Sequence, residues 1–418
     1  MRCPIVFLLF LICSTGLAEQ STISPPTADW FPVVPALPPA KGEVIRVTTV
    51  EELFRAAETV KPGGTIVIAD GHYYMPRFFD IRTDNVTLRG ESGRREKAVL
   101  DGVRSRHGEL VGITGCKGVT IADLTIQNIK WNGFKINSDK FTTEVTIHNC
   151  IVHNIWQRGV KGPKVREEDR DRFRPSDCKI QYCLFYNDRA KRPTDDPDDA
   201  RHGFGGNYIG GIDVMFARRW TINDNVFVGI KGKTGEARGA IFLWQGIDDC
   251  VIERNIIIDC DTGICLGNSH KPADIDVHCT GCVVRNNFVT RCSETGILAD
   301  YTADCRIVHN TIHDPDSRLR RLIRLVHDNE RLVVANNLLS GPPMRVETKS
   351  RVRSALNVTR ANLSDQFVDA AGGDLHLTGP LEGVTNEGAI GLDVETDIDR
   401  DRRGTAPDIG ADEVALDE

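Results

Sequence analysis

The chain has 418 residues, with 52 Lys and Arg against 59 Asp and Glu and a formal net charge of −7. That balance leaves no global basic footprint for nucleic acid. Length alone suggests two or three domains, unless the chain is a solenoid, which grows by adding coils.

Residues 1–18 read as a secretory signal: Arg2, an apolar run through Cys13, then Gly16-Leu-Ala18 as a small-residue cleavage site. The run is too short for a membrane span, and no other segment is long and apolar enough. The expectation is a secreted protein, extracellular or periplasmic, with no membrane span. Residues 19–42 carry Pro25, Pro26, Pro32, Pro35, Pro38 and Pro39 without periodicity and read as an N-terminal arm. Val44–Val47 is a short strand. Thr49-Val-Glu-Glu52 forms a capping box and starts an amphipathic helix with Leu53, Ala56, Ala57 and Val60 on one face. Pro62-Gly63-Gly64 ends it. Such a helix would cover the open end of a stack of strands. Thr65–Tyr73 and Asn85–Gly90 follow as strand and turn segments.

Eight later segments align in one column. They are Val119–Leu124, Val145–Cys150, Cys178–Cys183, Trp220–Asn225, Cys250–Asn255, Cys282–Asn287, Cys305–Asn310 and Leu332–Asn337. Their starts lie 26, 33, 42, 30, 32, 23 and 27 residues apart. Apolar residues or Cys hold the first and third positions, which is the strand period. Asn holds the sixth position in the last five rows. A short strand recurring at this spacing predicts a parallel β-helix. Asn225, Asn255, Asn287, Asn310 and Asn337 are expected to stack as a hydrogen-bonded ladder at one corner, where Asn tolerates a left-handed backbone. A second strand follows at Gly133–Ile136, Gly239–Trp244, Gly263–Leu266 and Gly296–Ala299, each glycine expected at a tight corner. The coils are expected to run to about Gly341, inside a β-helix domain spanning 43–390, with 391–418 as an irregular capping tail. In that tail Asp397, Asp399 and Asp401 alternate as calcium ligands can, without EF-hand spacing.

Of thirteen cysteines, eleven follow Cys13. Cys178, Cys250, Cys282 and Cys305 share the first column position, and Cys150 and Cys183 share the sixth. These positions predict buried thiols, with bridges Cys250–Cys282 and Cys260–Cys292 as the alternative.

Two coils carry charged insertions, Arg158–Arg174 and Asn187–His202. Insertions from a solenoid gather on one side and build a binding face. Arg158, Lys161, Lys164, Arg201 and His202 are therefore candidate contacts for an acidic polysaccharide; a solvated loop is the alternative. Trp244 is a candidate sugar-stacking platform, and His270-Lys271 is a loop pair with candidate catalytic and binding roles.

The repeat resembles the right-handed parallel β-helix proteins of the pectate-lyase-like class, over roughly residues 45–390. Asn225-Val-Phe, Gly235–Trp244 and Gly263–Lys271 follow the order of the chondroitinase B and alginate lyase active site. That resemblance implies calcium held by Asn225 and Glu236, a lysine base, and β-elimination from a uronate. The pattern departs where it matters: Arg238 replaces a second Glu, the base position falls on Leu243 or Trp244, and the Arg position falls near Asn268. Arg238 is then a candidate for holding the substrate carboxylate directly, with Lys231 or Lys233 as base. The tail likewise resembles the closing segment of bacterial secreted β-helix proteins. The reading is a monomeric, secreted, all-β right-handed parallel β-helix, lyase-like, with Ca2+ as the candidate cofactor. The alternatives are a non-catalytic glycan-binding protein and a polygalacturonase-like hydrolase using Asp248 and Asp249.

Overall fold

A computed structural model describes residues 23–202 and 204–415, excepting the side chains of residues 200–202. The signal reading of residues 1–18 lies outside the described residues. The rest forms two 12-stranded sheets and one 11-stranded sheet, every pairing in them parallel. Each coil contributes a strand to a first, a second and a third sheet in turn.

All eight aligned rows occupy the first sheet in register: Ile121, Ile147, Ile180, Ile222, Ile252, Val284, Ile307 and Val334 stack as one inward column. Every one of these side chains is fully buried. One further coil follows Gly341. Arg353–Ala355 pairs with Val333–Ala335, and Val358–Arg360 pairs with Leu338–Ser340. Ser354 takes the place of the apolar third-position residue there, so the row lacks the pattern's main signal.

The asparagine ladder forms. Nδ2 of Asn225 donates to Oδ1 of Asn255 at 3.0 Å, and the chain continues through Asn287, Asn310 and Asn337 to Asn357. Each buried amide is satisfied by its own copy one coil on. The left-handed residue is not the asparagine but its predecessor: Asp123, Asn149, Tyr182, Asp224, Arg254, Asn286, His309 and Asn336 all have φ between 49° and 58°. The corner is thus turned at the fifth position, freeing the sixth to bond along the axis.

The glycines of the third sheet also serve another purpose than the one expected. A Cβ at Gly133, Gly159, Gly263 or Gly296 would stand 2.8, 2.6, 2.4 or 2.4 Å from a carbonyl oxygen of the next coil. They permit close approach of backbones, and of the four predicted corners only Gly239 has a positive φ.

The N-terminal helix spans Val50–Thr59 with Thr49 as N-cap and the reciprocal bond from Glu52. It buries Leu53 and Ala56 against the first coil, and Phe54 meets Phe79 edge-on at 5.6 Å. The Pro-rich arm is packed along the flank: the His148 ring donates to the Pro35 carbonyl at 3.1 Å, and Arg89 donates to that of Pro38 at 3.0 Å. The irregular C-terminal segment lies along a flank of the stack, where Arg400 reaches the Tyr182 hydroxyl at 2.8 Å. Asp397 spends its carboxylate on the N–H groups of Asp399, Asp401 and Glu413. The alternating aspartates therefore shape a turn and do not converge on calcium.

The eleven described cysteines are all buried free thiols. Burial pushes Cys178 and Cys260 up to about 12. These thiols should resist an aqueous thiol reagent in the native protein and react on unfolding; rapid native reaction of more than the cysteines of residues 1–18 would contradict this packing. Replacing Asn287 by Ala orphans the Ile252 carbonyl and the Asn255 amide. At about 1–3 kcal/mol per unsatisfied buried group, a loss of roughly 2–5 kcal/mol is expected as a lower urea midpoint.

Candidate functional site

The three outer faces differ. The second sheet presents Leu184, Val226, Val228, Ile256, Ile258, Phe288 and Leu338 outward, and these are covered by C-terminal residues such as Leu375, Val384, Ile398 and Ile409, with Ile23, Trp30 and Phe31 of the arm alongside. On the first sheet, Val308 and Ala335 lie beneath Leu392. Apolar outward residues thus bind the two terminal segments to these faces.

The third sheet carries the opposite chemistry. Lys135, Lys161, Asp213, Phe242, Cys265, Leu298 and Arg324 stack in one register column, one coil of about 4.8 Å apart. This column is the floor of a groove along the solenoid axis. One wall joins the loop after Gly162 to the loop after Leu266: Lys164 and Arg170 both reach Asp274, at 3.1 and 2.7 Å. Val165, Met215, Phe216 and Ile275 pack beneath that junction. The opposite wall is the insertion before Ile209. Its Lys191 is fully buried between Asp199 at 2.8 Å and Asp196 at 3.4 Å, and donates to the Tyr208 carbonyl at 3.0 Å.

At the centre, Asp213 receives Arg158 at 2.6 Å, Lys161 at 3.0 Å and the Trp244 indole N–H at 3.1 Å. The Arg158 guanidinium lies over the Tyr208 ring at 3.9 Å. Burial would raise the Asp213 carboxyl, but Lys161 and Arg158 outweigh it and hold it down at about 2. Lys135 makes a similar pair with Glu109 at 2.7 Å, and Asn132 donates to the same carboxylate at 3.0 Å.

Beyond Asp213 the groove opens into a cleft of about 370 Å³ whose lining includes Glu236, Arg238, Phe242, Asn268, Glu294 and Arg324. Glu236 accepts from Asn207 at 3.2 Å and Thr234 at 3.0 Å. Arg324 pairs with Glu347 at 2.8 Å. Arg238 is exposed, and among the described residues its guanidinium has no carboxylate partner; it lies 5.7 Å from the Phe204 ring. Phe242 stacks on Trp244 at 5.1 Å and links cleft to centre.

Of the residues singled out from sequence, Arg158, Lys161, Trp244, Glu236 and Arg238 meet on this face. Arg158 is buried and ion-paired, so it shapes the floor rather than offering a free charge. Lys164 is tied to Asp274 on the rim. His270 is exposed on the rim loop, and the Lys271 ammonium lies 4.8 Å from the Tyr301 ring. The side chains of Arg201 and His202 lie outside the described residues. Neither Lys231 nor Lys233 lines the cleft: Lys231 points to Asp259 at 3.8 Å, and Lys233 is exposed on the wall with its backbone bonded to Gly206. Asn225 is buried in the ladder, its Oδ1 accepting from the Cys183 amide and its Nδ2 donating to the Ile180 carbonyl. It does not converge with Glu236, so these two residues do not fit a calcium ion. Asp248 is paired with Arg174, and Asp249 takes a left-handed corner with φ 52°. They are not two free carboxylates.

Asp213 is the residue that sequence reading missed, with Glu294 and Arg324. Its signal was present in Gly210-Gly-Ile-Asp-Val-Met215, which aligns with Gly239–Trp244 and carries one carboxylate in an otherwise apolar strand.

A family model described as "Right handed beta helix region" matches residues 109–339, more than half of the chain. The chain belongs to the right-handed β-helix family. This β-helix is similar to the uncharacterized protein YclG of Bacillus subtilis (strain 168), at 24% identity over 370 residues, which covers 71% of the chain and 58% of that protein. The chain thus spans little more than half the length of that curated relative. Among solved structures it is similar to pectate lyase Pel9A, with a TM-score of 0.62 at 13% identity, covering 86% of this chain and 90% of that one. A PL6 alginate lyase solved with a trisaccharide aligns with a TM-score of 0.46 at 15% identity, covering 71% and 59%. The likeness to pectate lyase Pel9A shows a pectate-lyase-like fold. Among the described residues no helix is long and apolar enough to cross a membrane.

Asp213→Asn in this β-helix leaves the buried Arg158 and the partly buried Lys161 without their counter-charge. A loss of roughly 3–5 kcal/mol is expected in urea unfolding, and an unchanged midpoint would contradict the described cluster. Because the folded carboxyl is depressed, its contribution is fully present above the ordinary value near 3.8 and disappears as pH falls through about 2. The wild-type protein's Trp244 fluorescence, taken as the difference from Trp244→Phe, should therefore hold steady down to about pH 4.

Proposed function

We propose that this protein is secreted and binds an acidic, uronate-containing polysaccharide along the third-sheet groove, cleaving it by β-elimination. The observation that carries the reading is Arg238, a guanidinium without a carboxylate partner among the described residues, at the mouth of the cleft on the face that the terminal segments leave open. A guanidinium matches a carboxylate bidentately. Neutralising the uronate carboxylate acidifies its α-proton, and elimination then needs a base nearby.

Lys161 is the base in this reading; it lies outside the cleft itself, on the groove floor two coils along the same column from Phe242 of the cleft. Arg158 alone balances the charge of Asp213, so Lys161 is the surplus cation of the cluster. Its amine is held 3.0 Å from Asp213 at the groove floor. Trp244 and Phe242 offer stacking area beside it. The pectate lyase likeness supports the fold on which such a groove is built and does not supply these residues.

A second reading has a specific observation behind it. Lys135 and Lys161 are both ion-paired, which suits glycan binding without turnover. Incubation with pectate, alginate and glycosaminoglycans, with and without calcium, separates the two. Ultraviolet absorbance of unsaturated uronate is expected, falling about 10²–10⁴-fold in Lys161→Gln. Arg238→Ala should weaken binding about tenfold or more, at roughly 1.5–3 kcal/mol for a charge-assisted bond. Reducing ends without that absorbance would overturn elimination in favour of hydrolysis, and binding without either product would leave the glycan-binding reading.

A further inference from the structure

The C-terminal segment assembles a second cluster of ligating side chains, away from the groove. His376 lies on a small antiparallel hairpin in which Phe367–Asp369 pairs with Asp374–Leu377. Its Nδ1 faces Asp374 at 2.5 Å and its Nε2 faces Asp399 at 2.7 Å. Ligand-capable atoms of His376, Asp399 and Asp412 all lie within 4.8 Å of one another. Trp30 and Phe288 hold the imidazole edge-on, at 6.0 and 4.9 Å between ring centres.

Two further observations point to a cation. Asp412 is only 9% exposed. One of its oxygens accepts from the Leu377 amide at 2.8 Å, and the other takes no hydrogen bond among the described residues. Three carboxylates, Asp374, Asp399 and Asp412, surround one imidazole, so acidic groups outnumber basic ones in the cluster. The guanidinium beside them, Arg400, is committed elsewhere, to Asp224 at 2.8 Å and to the Tyr182 hydroxyl. Carboxylates gathered at a largely buried point are costly, and a divalent ion adds positive charge there.

The arrangement around His376 also has a metal-site form. A ligating histidine usually gives its other ring nitrogen to a carboxylate, which sets the tautomer and aims the free lone pair. Asp374 does this at Nδ1, and Nε2, hydrogen-bonded to Asp399 at 2.7 Å with Asp412 close by, is the nitrogen that an ion would take over. A cavity of about 280 Å³, lined in part by Trp30, Ile256, His376 and Asp399, adjoins the cluster and offers water access to an open coordination position.

We propose that His376 Nε2, Asp399 and Asp412 bind one divalent transition-metal ion, with Asp374 as the orienting outer partner. One imidazole nitrogen and two carboxylate oxygens with room for water suit Zn2+ in a four-coordinate site. The ion ties three separate stretches of the C-terminal segment together at the edge of the second sheet, beside Trp30 of the arm. The site is independent of the groove and of the function proposed for it.

Metal-stripped full-length protein titrated calorimetrically with Zn2+ tests this. One equivalent is expected, with a higher melting temperature in Zn2+ than in chelator. Asp399→Asn, at a half-exposed position where the fold should survive, should abolish binding, with circular dichroism confirming structure. His376→Ala should do the same. Asp374→Asn should keep the stoichiometry and weaken affinity about 10–100-fold. No saturable Zn2+ binding, binding unchanged in Asp399→Asn, or a preference for Ca2+ or Mg2+ over Zn2+ would overturn the assignment.

Discussion

Parallel stacking in register makes every side chain a neighbour of its own counterpart about 4.8 Å away. Inward columns must then be apolar or able to satisfy themselves. The isoleucine column from Ile121 to Ile307 meets the first condition, and the asparagines from Asn225 to Asn357 meet the second. An amide donates to the copy above and accepts from the copy below, so a buried polar column costs little as long as it is unbroken. This requirement takes residues out of chemical service. Asn225, a candidate metal ligand from its sequence alone, has its donor and its acceptor both consumed inside the stack.

The same geometry makes the outer faces separable surfaces with separate fates. Apolar outward residues on the second sheet demand cover, and the arm and the C-terminal segment supply it. The third sheet presents Lys135, Lys161 and Asp213 instead and stays open, walled by two insertions. Those walls are ordered by ion pairs that do different jobs. Lys191 with Asp196 and Asp199 is fully buried and fixes one wall internally, whereas Lys164 and Arg170 converge on the single Asp274 and join loops from different coils. The density of positive charge in the first insertion, which suggested a free basic surface, is therefore largely spent on holding the groove together.

Much of the scaffold was legible beforehand. The row pattern locates eight strands of one sheet, because an inward position tolerates few residue types and repeats them. Thr49 and Glu52 announce the capping helix, because a capping box is local. The last coil escaped notice where Ser354 breaks the apolar column. The corner is turned not by the ladder asparagine but by the residue before it: Asp or Asn in five of the eight rows, as the left-handed conformation favours, with Tyr182, Arg254 and His309 interrupting that column. The site was less legible. Trp244, Glu236 and Arg238 stand on the groove, while Lys231 lies near them in sequence and points to the other side. Nearness along a coil does not say which face a side chain takes once a turn has intervened.

Sequence by itself determined the stack: period-2 alternation at a recurring interval admits few arrangements other than parallel coils, since only stacking buries such short apolar strands. It also determined which columns are inward. Tertiary structure alone decided which face is open, because that depends on where the arm and the C-terminal segment lie across coils hundreds of residues away. It alone brought Arg158, Lys161, Asp213 and Trp244 to one point, and His376, Asp399 and Asp412 to another. Contacts of that kind join positions 13 to 55 residues apart, and no local pattern encodes them. They follow from the coil register in the first case and from the path of the returning tail in the second.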